Sequence, residues 1–523
     1  MNKVFTQLFP NLYRDSVALM QLSAKLAKLE GILEASAQMA TRANLELMKS
    51  AGLLKDLQEP RPNDILLVVR GEPSAVSQAV EVATTLLNKK AASAESESQG
   101  EPLRSIQMAL SADARQANLA LISTPGDYAA AEAMKALRMG MNTMIFSDNV
   151  SVEAEVALKR YARSRNLLVM GPDCGTAIID GIPLAFANAI RKGDIGVIGA
   201  SGTGIQQVTS LIHQYGGGIT HAIGTGGHDL AEAVGGLTML TALEQFSADP
   251  ATRVIVLISK PPAAGVADKV LAAARSCGKP VVVCFLGADP ASILARGLLP
   301  ADTLEDAAQL AIALSTDTEV SKSAKQNRVA ELRERAVELT LGLKTDQRCL
   351  RGLYSGGTFC YEALLLLQDV LPGLQSNTPA GSVKRLADTR KISGNAILDL
   401  GDDEFTRGKP HPMIDPSQRN ERLLIDAADA SVAVILLDFV LGYGANDDPA
   451  GEIAPVILAA KERARKTERS LLFIGHICGT DGDPQNLAEQ SRILKAAGVE
   501  LRASNAEAAL LCRVIFEHLR NEA

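Results

Sequence analysis

The order of apolar and polar residues along the chain predicts a succession of α/β domains. From Asn118 onward, short apolar runs alternate with amphipathic stretches of about 15 residues, which is the pattern of parallel strands covered by helices on both faces. The runs predicted to form strands are Leu119–Ser123, Thr143–Phe146, Leu167–Met170, Ile195–Ile198, Val254–Ile258, Val281–Phe285, Ala396–Leu400, Val432–Leu437 and Leu471–Ile474. They fall into three groups, so we expect the α/β fold class, with three doubly wound parallel-sheet modules of the Rossmann or flavodoxin type.

A smaller α+β domain is predicted to precede these modules. Its expected elements are a helix at Asp15–Leu29, a strand at Ile65–Val69 and a helix at Pro73–Leu87. Residues 91–101 have almost no apolar side chains and are predicted to form a linker, and the charged residues 316–335 mark a second boundary, near which 330–339 suit a surface helix. The predicted domains are 1–90, 105–190, 193–315 and 345–523.

Composition narrows the classes of function. A net charge of −7 leaves no basic stripe, and 3% aromatic residues with no Trp leave little to stack on bases, so nucleic acid is not an expected partner. The chain lacks an apolar run of the ~20 residues that a membrane helix needs, and its N-terminus does not have the layout of a signal peptide. Its 7 cysteines include no CxxC pair, which fits reduced thiols. We therefore expect a cytoplasmic enzyme without a membrane partner.

The first candidate site is the turn Gly199–Gly204, which reads GASGTG. It follows a predicted strand and precedes a predicted helix, so backbone N–H groups and the positive end of the helix dipole would point at a ligand. Ser201 and Thr203 add hydroxyl donors, and Gly202 lets the backbone approach closely. We predict a phosphate or carboxylate site, with a plain tight turn as the alternative. It is not a Walker A loop, because no Lys-Ser/Thr pair follows.

A second glycine turn, Gly224–Asp229, reads GTGGHD and is also predicted to lead into a helix. Gly226 and Gly227 would let the backbone approach the same anion. His228 is the catalytic candidate, because its imidazole could act as a general acid–base or donate to a developing charge. The alternative is an ordinary residue at a helix N-terminus, beside the cap Asp229.

A third turn, 171–176, contains Asp173, a candidate substrate-binding residue, and Cys174. We expect Cys174 near a helix N-terminus, where a thiol pKa can be lowered. The sequence offers this thiol no histidine partner, so a structural role is favoured over a nucleophilic one. Residues 354–358 and 438–444 repeat the pattern of glycine at a strand end.

A charged loop, 401–416, follows a predicted strand of the C-terminal module. Three acidic residues are followed by three basic ones, and three prolines stiffen the turn. We expect Lys409, His411 and Asp415 to bind substrate or to form an interface, the alternative being a solvated rigid loop. The two aspartates at the start of the loop could hold Mg²⁺, but the sequence identifies no further oxygen ligands, so no metal site is assigned.

Together these motifs resemble the FdrA family. The stretches that carry the resemblance are FSDNV at 146–150, MGPDCGT at 170–176, GVIGASGTG at 196–204, IGTGGHDL at 223–230, SKPP at 259–262 and GKPHPMIDP at 408–416. The family is similar to succinyl-CoA synthetase, and the resemblance covers nearly the whole chain. It implies that 118–190 correspond to the tail of the CoA-binding domain of the α subunit, 193–315 to its flavodoxin-like domain and 345–520 to the ligase domain of the β subunit.

The sequence departs from the succinyl-CoA synthetase plan, most importantly in the stretch that should carry the catalytic histidine. CoA ligases of this group relay phosphate through a histidine in a mobile loop, and the stretch that corresponds to it, 259–266, has no histidine. FdrA-type proteins are implicated, with partner subunits, in an oxamate carbamoyltransferase of purine and allantoin breakdown. Carbamoyl transfer needs neither CoA nor phosphohistidine, because the enzyme has only to hold phosphate, orient the carbamoyl carbon and stabilise its oxyanion.

The resemblance thus implies a subunit that transfers a carbamoyl or acyl group to or from phosphate, with no obligatory cofactor. Its expected partners are a small anionic metabolite, such as carbamoyl phosphate, oxamate or an acyl phosphate, and further enzyme subunits or copies of itself. An acyl-CoA (succinate–CoA) ligase is the alternative, with His228 as its relay and Mg²⁺, CoA or a nucleotide as cofactor. A non-catalytic metabolite-binding subunit is the third interpretation.

Overall fold

A computed structural model describes residues 3–50, 54, 60–97, 103, 105–112, 117–319, 322–407 and 409–521. The chain divides into two compact units. The first contains Met1–Asp173 together with Asp403–Asp415, and the second contains Cys174–Asp402 and Pro416–Ala523. Within the described ranges we find no helix with the length and apolarity needed to cross a bilayer.

The first unit begins with an antiparallel sheet of three strands in the order β1-β3-β2. Its elements are β1 (Lys3–Phe9), α1 (Ser16–Ala27), β2 (Ile32–Met39), α2 (Arg42–Ser50), β3 (Ile65–Gly71) and α3 (Pro73–Glu97), followed by α4 (Ile106–Ala112). Leu67 and Val69 of β3 pack with α1 and α3, whereas Leu66 and Val68 pack with α2, because successive side chains of a strand point to opposite faces. The small α+β domain is confirmed.

Two features of this domain differ from the sequence prediction. The sequence predicts two strand and helix pairs here but gives no bounds for β1 or β2, because these edge strands are only partly buried and lack a continuous apolar run. The helix α3 continues to Glu97, so residues 91–97 are helical rather than part of a linker, and residues 98–101 of the predicted linker lie outside the described residues. Alanine and glutamate dominate this stretch, and their high helix propensity continues the helix beyond its apolar part.

The first unit also contains a parallel sheet of three strands in the order β4-β5-β6. Its elements are β4 (Leu119–Ile122), α5 (Gly126–Arg138), β5 (Asn142–Ile145), α6 (Val152–Ser164) and β6 (Val169–Met170). Ile122, Ile145 and Val169 pack against the two helices. The first predicted group of strands is therefore present.

The second unit contains two sheets of seven strands. The first has the order β13-β12-β11-β9-β10-β7-β8. Its elements are β7 (Thr176–Ile179), β8 (Ile182–Ala185), β9 (Lys192–Gly199), α7 (Gly202–Gln214), β10 (Ile219–Gly224), α8 (Leu237–Ala248), β11 (Val254–Ser259), α9 (Ala264–Ser276), β12 (Val281–Phe285), α10 (Pro290–Leu294), β13 (Leu299–Pro300) and α11 (Leu304–Ser315). Strands β9 to β13 are parallel, whereas the hairpin β7–β8 joins the edge of β10 antiparallel.

The second sheet of this unit is parallel throughout, in the order β16-β15-β17-β14-β18-β19-β20. The C-terminal elements are α12 (Lys322–Thr340), β14 (Cys349–Tyr354), α13 (Gly357–Leu367), β15 (Gln375–Ser376), β16 (Lys384–Arg385), β17 (Ala396–Asp399), α14 (Asp403–Thr406), α15 (Ser417–Ala428), β18 (Val432–Val440), α16 (Pro449–Lys466), β19 (Leu472–Cys478), α17 (Leu487–Ala496), β20 (Val499–Arg502) and α18 (Asn505–Asn521). Every residue of β11 and β18 is buried, as predicted for strands covered on both faces. The α/β fold class is confirmed.

The helix α12 occupies most of the charged stretch 316–335 that the sequence marks as a boundary. Leu332 and Ala336 of this helix are buried, and α12 packs on α18. Two apolar positions one turn apart are enough to hold a charged helix against the domain, and the surface helix predicted at 330–339 is part of α12.

Candidate active site at two facing helix N-termini

The turn Gly199–Gly204 connects β9 to the N-terminus of α7. Ser201 is the N-cap residue, and its hydroxyl accepts a hydrogen bond of 3.0 Å from the backbone N–H of Gly204. Because the first N–H groups of a helix have no intrahelical acceptor, those of Gly202 and Thr203 are directed out of the end of α7. These two residues are only partly buried, so a ligand could reach them.

The N-terminus of α13 faces that of α7. This helix begins at Gly357, after β14 and a two-residue turn. The hydroxyl groups of Ser201 and Thr358 are hydrogen-bonded to each other, and a Cβ on Gly356 would lie 3.1 Å from Cγ2 of Thr203. The two helices therefore bring their N-terminal N–H groups and positive dipole ends to one place, which is the arrangement that favours an anion.

A buried ion pair fixes the turn before α13. Asp438 of β18 accepts hydrogen bonds from the backbone N–H groups of Ser355 (2.8 Å) and Gly356 (2.7 Å). Arg419 of α15 donates to the Ser355 hydroxyl (2.8 Å) and to Asp438 Oδ1 (3.2 Å). Burial raises the pKa of Asp438, whereas the charge of Arg419 lowers it. Removing one of these charges would leave the other buried and unpaired, at a cost of about 3–5 kcal/mol.

A second buried carboxylate, Asp399 at the end of β17, lies beside the first turn of α13. A Cβ on Gly357 would stand 2.5 Å from Asp399 Oδ2, so glycine is needed there. Lys260 follows β11, and its ammonium lies 5.6 Å from the centroid of the Tyr361 ring. Burial raises the pKa of Asp399 to about 6, and the positive charge of Lys260 opposes that rise. The site thus combines a carboxylate and an ammonium with the two helix ends.

The second glycine turn lies next to the first. β10 pairs with β9 with Gly224 opposite Gly199, and the N–H of Thr225 donates to the carbonyl oxygen of Gly199 (2.9 Å). Gly226 is buried with a φ of 85°, in the left-handed region that favours glycine, and Gly227 is exposed. The two turns predicted to bind one anion are therefore neighbours at the same edge of the sheet.

The prediction that a helix follows this second turn directly is wrong. Residues 225–236 form a loop, and α8 begins at Leu237. The buried carboxylate of Asp229 accepts hydrogen bonds from the backbone N–H groups of Thr238 (2.9 Å) and Met239 (3.0 Å), and so caps α8 from within the loop. His228 is an exposed loop residue, and its catalytic role stays a prediction.

The turn at 171–176 is likewise not followed by a helix, and it leads into a strand. β7 begins at Thr176, so the turn that contains Cys174 is not followed by a helix of its own, and Cys174 is buried with its thiol 3.5 Å from the carbonyl oxygen of Thr176. Asp173 is exposed, and its backbone N–H donates to the carbonyl oxygen of Ser147 (3.0 Å). Asp173 belongs to the first unit, whereas the glycine turns belong to the second. Its role in binding stays a prediction.

The charged loop is divided between the units, because residues 403–415 group with the first unit. Lys409 is exposed and Asp415 is buried. His411 Nδ1 accepts a hydrogen bond from the backbone N–H of Met413 (3.2 Å), and burial lowers the pKa of this imidazole to about 4. His411 is therefore neutral at pH 7. Gly408 lies outside the described residues, and the predicted substrate-binding role of the loop stays a prediction.

Three residues of the site were not among the predicted site residues: Asp399, Lys260 and Thr358, although Thr358 ends the turn 354–358, which repeats the glycine pattern. Each lies at, or just beyond, the carboxyl end of a buried parallel strand. The turn Gly199–Gly204 was identified by the same criterion, because ligands bind at that end of parallel strands. These residues come together in one site only because strands of two different sheets end there. Arg419 offered no such signal, because it lies on a helix.

Family models match three parts of the chain. Residues 1–103 match "AllF, heavy metal-associated domain", residues 190–287 match "CoA binding domain" and residues 353–515 match "CoA-ligase". The chain is also 43% identical over 509 residues to YahF, an uncharacterised protein of Escherichia coli (strain K12), and this match covers 96% of the chain and 97% of YahF. The chain belongs to the FdrA family.

Part of this FdrA-family chain resembles a ligase subunit. It is 29% identical over 150 residues to the α subunit of succinate–CoA ligase [ADP-forming] of Aquifex aeolicus (strain VF5), a match that covers 28% of the chain and 48% of that subunit. The chain thus spans about half of the length of that relative. Among solved structures, dinucleotide-forming acetyl-coenzyme A synthetase 1 of Ca. Korarchaeum cryptofilum, in complex with phosphate and ADP, is 14% identical, with 81% of this chain and 86% of that one covered and a TM-score of 0.34. A TM-score of 0.34 is too low for this match to support any conclusion about the ligand or the reaction of the chain.

The N-terminal domain of the FdrA-family chain does not suit the ion named in its family model. Residues 1–103 contain neither cysteine nor histidine, so this stretch has no thiolate or imidazole ligand for a transition metal. In the described part of the chain, no group of three or more His, Cys, Asp or Glu is placed to hold a metal ion. We assign no metal chemistry to this domain.

Proposed function

We propose that this FdrA-family chain is an enzyme subunit that transfers a carbamoyl or acyl group to or from phosphate, as in an oxamate carbamoyltransferase of purine and allantoin breakdown. The contact between Ser201 and Thr358 carries the proposal, because it joins the N-termini of α7 and α13. A phosphate dianion between the two helix ends would accept hydrogen bonds from both sets of N–H groups without a metal or a nucleotide.

Each group of residues in the site could perform one of the functions that the proposed transfer requires. The first-turn N–H groups of α7 and α13 would hold the phosphate and fix the direction from which its oxygen attacks. The N–H groups of Gly226 and Gly227 in the second glycine turn and the ammonium of Lys260 are the donors proposed for the oxyanion that develops on the carbamoyl carbon. The substrate-binding role predicted for Lys409, His411 and Asp415 concerns the first unit and is not required for these steps. Partner subunits would complete the enzyme.

The test is an assay of phosphate-dependent breakdown of oxalurate, with the chain alone and with its partner subunits. We expect carbamoyl phosphate and oxamate to appear in equal amounts, and only when phosphate is present. Failure of every combination to produce carbamoyl phosphate would remove the proposal.

An acyl-CoA ligase is the second candidate, favoured by the matches to the "CoA binding domain" and "CoA-ligase" models. The phosphate groups of CoA or a nucleotide are ligands of the same kind, so the helix ends would suit them as well. A ligase of this type needs a phosphohistidine, for which His228 is the candidate. Acid-labile, base-stable phosphate on the protein after incubation with labelled ATP, and its loss in His228→Asn, would support this function. A protein that stays unlabelled would count against it.

A further inference from the structure

We propose that Asp399 carries the proton that moves during group transfer and that Lys260 controls whether Asp399 holds it. The inference rests on the proposed function, because it assigns a role within the same anion site. It goes further by naming the acid–base group, which neither the sequence motifs nor the family models identify.

The position of Asp399 is fixed by its neighbours. Its backbone N–H donates to Asn377 Oδ1 (2.9 Å), and its carbonyl oxygen accepts from Asn377 Nδ2 (2.9 Å). One carboxylate oxygen, Oδ1, accepts from the backbone N–H of Gly401 (3.0 Å). The other, Oδ2, points at Gly357, the first residue of α13. A carboxyl group that is 6% exposed is thus held with one oxygen directed at the helix end where the anion would bind.

The charged and titratable groups around Asp399 come from four elements. Lys260, beyond β11, favours the ionised form, whereas Asp402, on the loop that follows β17, and Asp438 of β18 favour the protonated form. Burial raises the pKa of the Cys360 thiol of α13 far above neutrality, so that thiol stays uncharged. Burial of the carboxyl group itself is the largest effect on Asp399 and favours the protonated form. Both forms of Asp399 are therefore accessible near pH 6, where a proton can be taken up and released with little cost.

The proposed reaction needs such a group. When HPO₄²⁻ attacks the carbamoyl carbon of an N-carbamoyl compound, a C–O bond forms, the C–N bond breaks and the nitrogen leaves with the bonding electrons. The attacking phosphate loses its proton and the leaving nitrogen must gain one. Protonated Asp399 gives its proton to the nitrogen and then takes the proton of the phosphate, so the step balances without a further reactant. In the opposite direction the same proton returns.

Anion binding alone should reveal this role. A dianion beside Asp399 disfavours the ionised carboxylate, so binding should be coupled to uptake of a proton. Sulfate is a suitable probe because it does not titrate between pH 6 and 8. We expect calorimetry in buffers of different ionisation enthalpy to show that the full-length chain takes up part of a proton for each sulfate bound at pH 7, and that Asp399→Asn takes up none. Equal proton uptake by the two proteins, or no binding of sulfate to either, would overturn the proposal.

Turnover of the complete enzyme gives the second readout. Asp399→Asn should lower kcat by about 10²- to 10⁴-fold, the usual contribution of general acid–base catalysis, and should remove the ionisation near pH 6 from the pH–rate profile. Lys260→Gln should move that ionisation to higher pH, and Lys260→Arg should restore it. Asp346→Asn, at an exposed position, is the matched control. An inactive wild-type complex would refute the proposed function, whereas an active complex that is unaffected by Asp399→Asn would refute this inference alone.

Discussion

The hydroxyl of Thr358 is buried, and it contacts the side chain that caps the opposite helix. Ser201 therefore bonds in two directions, to the N–H of Gly204 in its own helix and to Thr358 across the site. At the scale of single residues, the site consists mainly of groups that orient backbone donors. The effect of a substitution should depend on which of these orienting contacts it removes.

Thr358→Val tests the contact between the helices, because it removes the hydroxyl and keeps the shape of the side chain. Loss of one hydrogen bond of about 1 kcal/mol should weaken sulfate or phosphate binding by about fivefold. The melting temperature should change little. Thr316→Val, at an exposed residue, is the control. Unchanged anion affinity in Thr358→Val would show that the contact does not support the site.

The burial of His476 leads to a prediction about how the stability of the protein depends on pH. His476 is buried on β19 with its ring edge-on to Phe359, and among the described residues neither ring nitrogen has a hydrogen-bond partner. Burial lowers the pKa of this imidazole from 6.5 to about 3. Between about pH 3 and pH 6.5, the imidazole of His476 is protonated in the unfolded chain but not in the folded chain. Stability contributed by the neutral ring is therefore complete above pH 6.5 and decreases as the pH falls toward 3, by about 2 kcal/mol at pH 5.

His476→Leu should remove that dependence. We expect the difference in urea midpoint between pH 7.5 and pH 5 to be smaller in this variant than in the wild type, and His518→Leu to behave like the wild type. If His476→Leu lost as much stability at pH 5 as the wild type, other groups would be responsible for the acid sensitivity.

At the scale of elements, the sequence predicts the strands of the large sheets well and their surroundings less well. β11 and β18 are readable because strands buried on both faces form continuous apolar runs. The hairpin β7–β8 was missed, because its short strands pair at the edge of a sheet and include exposed residues such as Ile182. Within the site, a local pattern identified the turn at 199–204. The roles of Lys260 and Asp399 depend on two sheets meeting, which no local pattern records.

Two glycines in first helical turns allow a matched test of the α13 N-terminus. A Cβ at Gly357 would collide with Asp399, whereas nothing lies within 4 Å of a Cβ at Gly265 in α9. Gly357→Ala should therefore displace the carboxylate and reduce anion binding and turnover by at least tenfold. Gly265→Ala should be neutral or stabilising by up to about 1 kcal/mol, because alanine has the higher helix propensity.

The collision also predicts coupling between two positions. Asp399→Ala makes room for the new methyl group, so adding Gly357→Ala to it should cost little further stability, and the two effects should not add. Thermal melts of the two single variants and the double variant would measure this. Strict additivity would mean that the two side chains do not meet.

At the scale of the whole molecule, the division into units does not follow the order of the chain. Residues 403–415 belong with residues 1–173, although the segments on either side of them belong to the second unit. Met413 and Ile414, within that short segment, are buried. Cutting the chain after residue 173 would therefore separate these apolar side chains from residues 1–173, which form the rest of their unit.

A fragment of residues 174–523 should consequently be less soluble than the intact chain. We expect it to aggregate in size-exclusion chromatography and to recover when residues 1–173 are co-expressed. The same fragment with residues 403–415 replaced by a Gly/Ser linker should stay soluble. A monomeric, cooperatively melting 174–523 fragment would contradict the expected dependence.

The same segment constrains recombination between relatives. A chimera that joins the first 173 residues of one homologue to the remainder of another inherits residues 403–415 from the wrong parent. Substitutions in these two stretches should therefore have been selected together over evolutionary time. A hybrid that takes both stretches from one parent should be the version that survives a library screen.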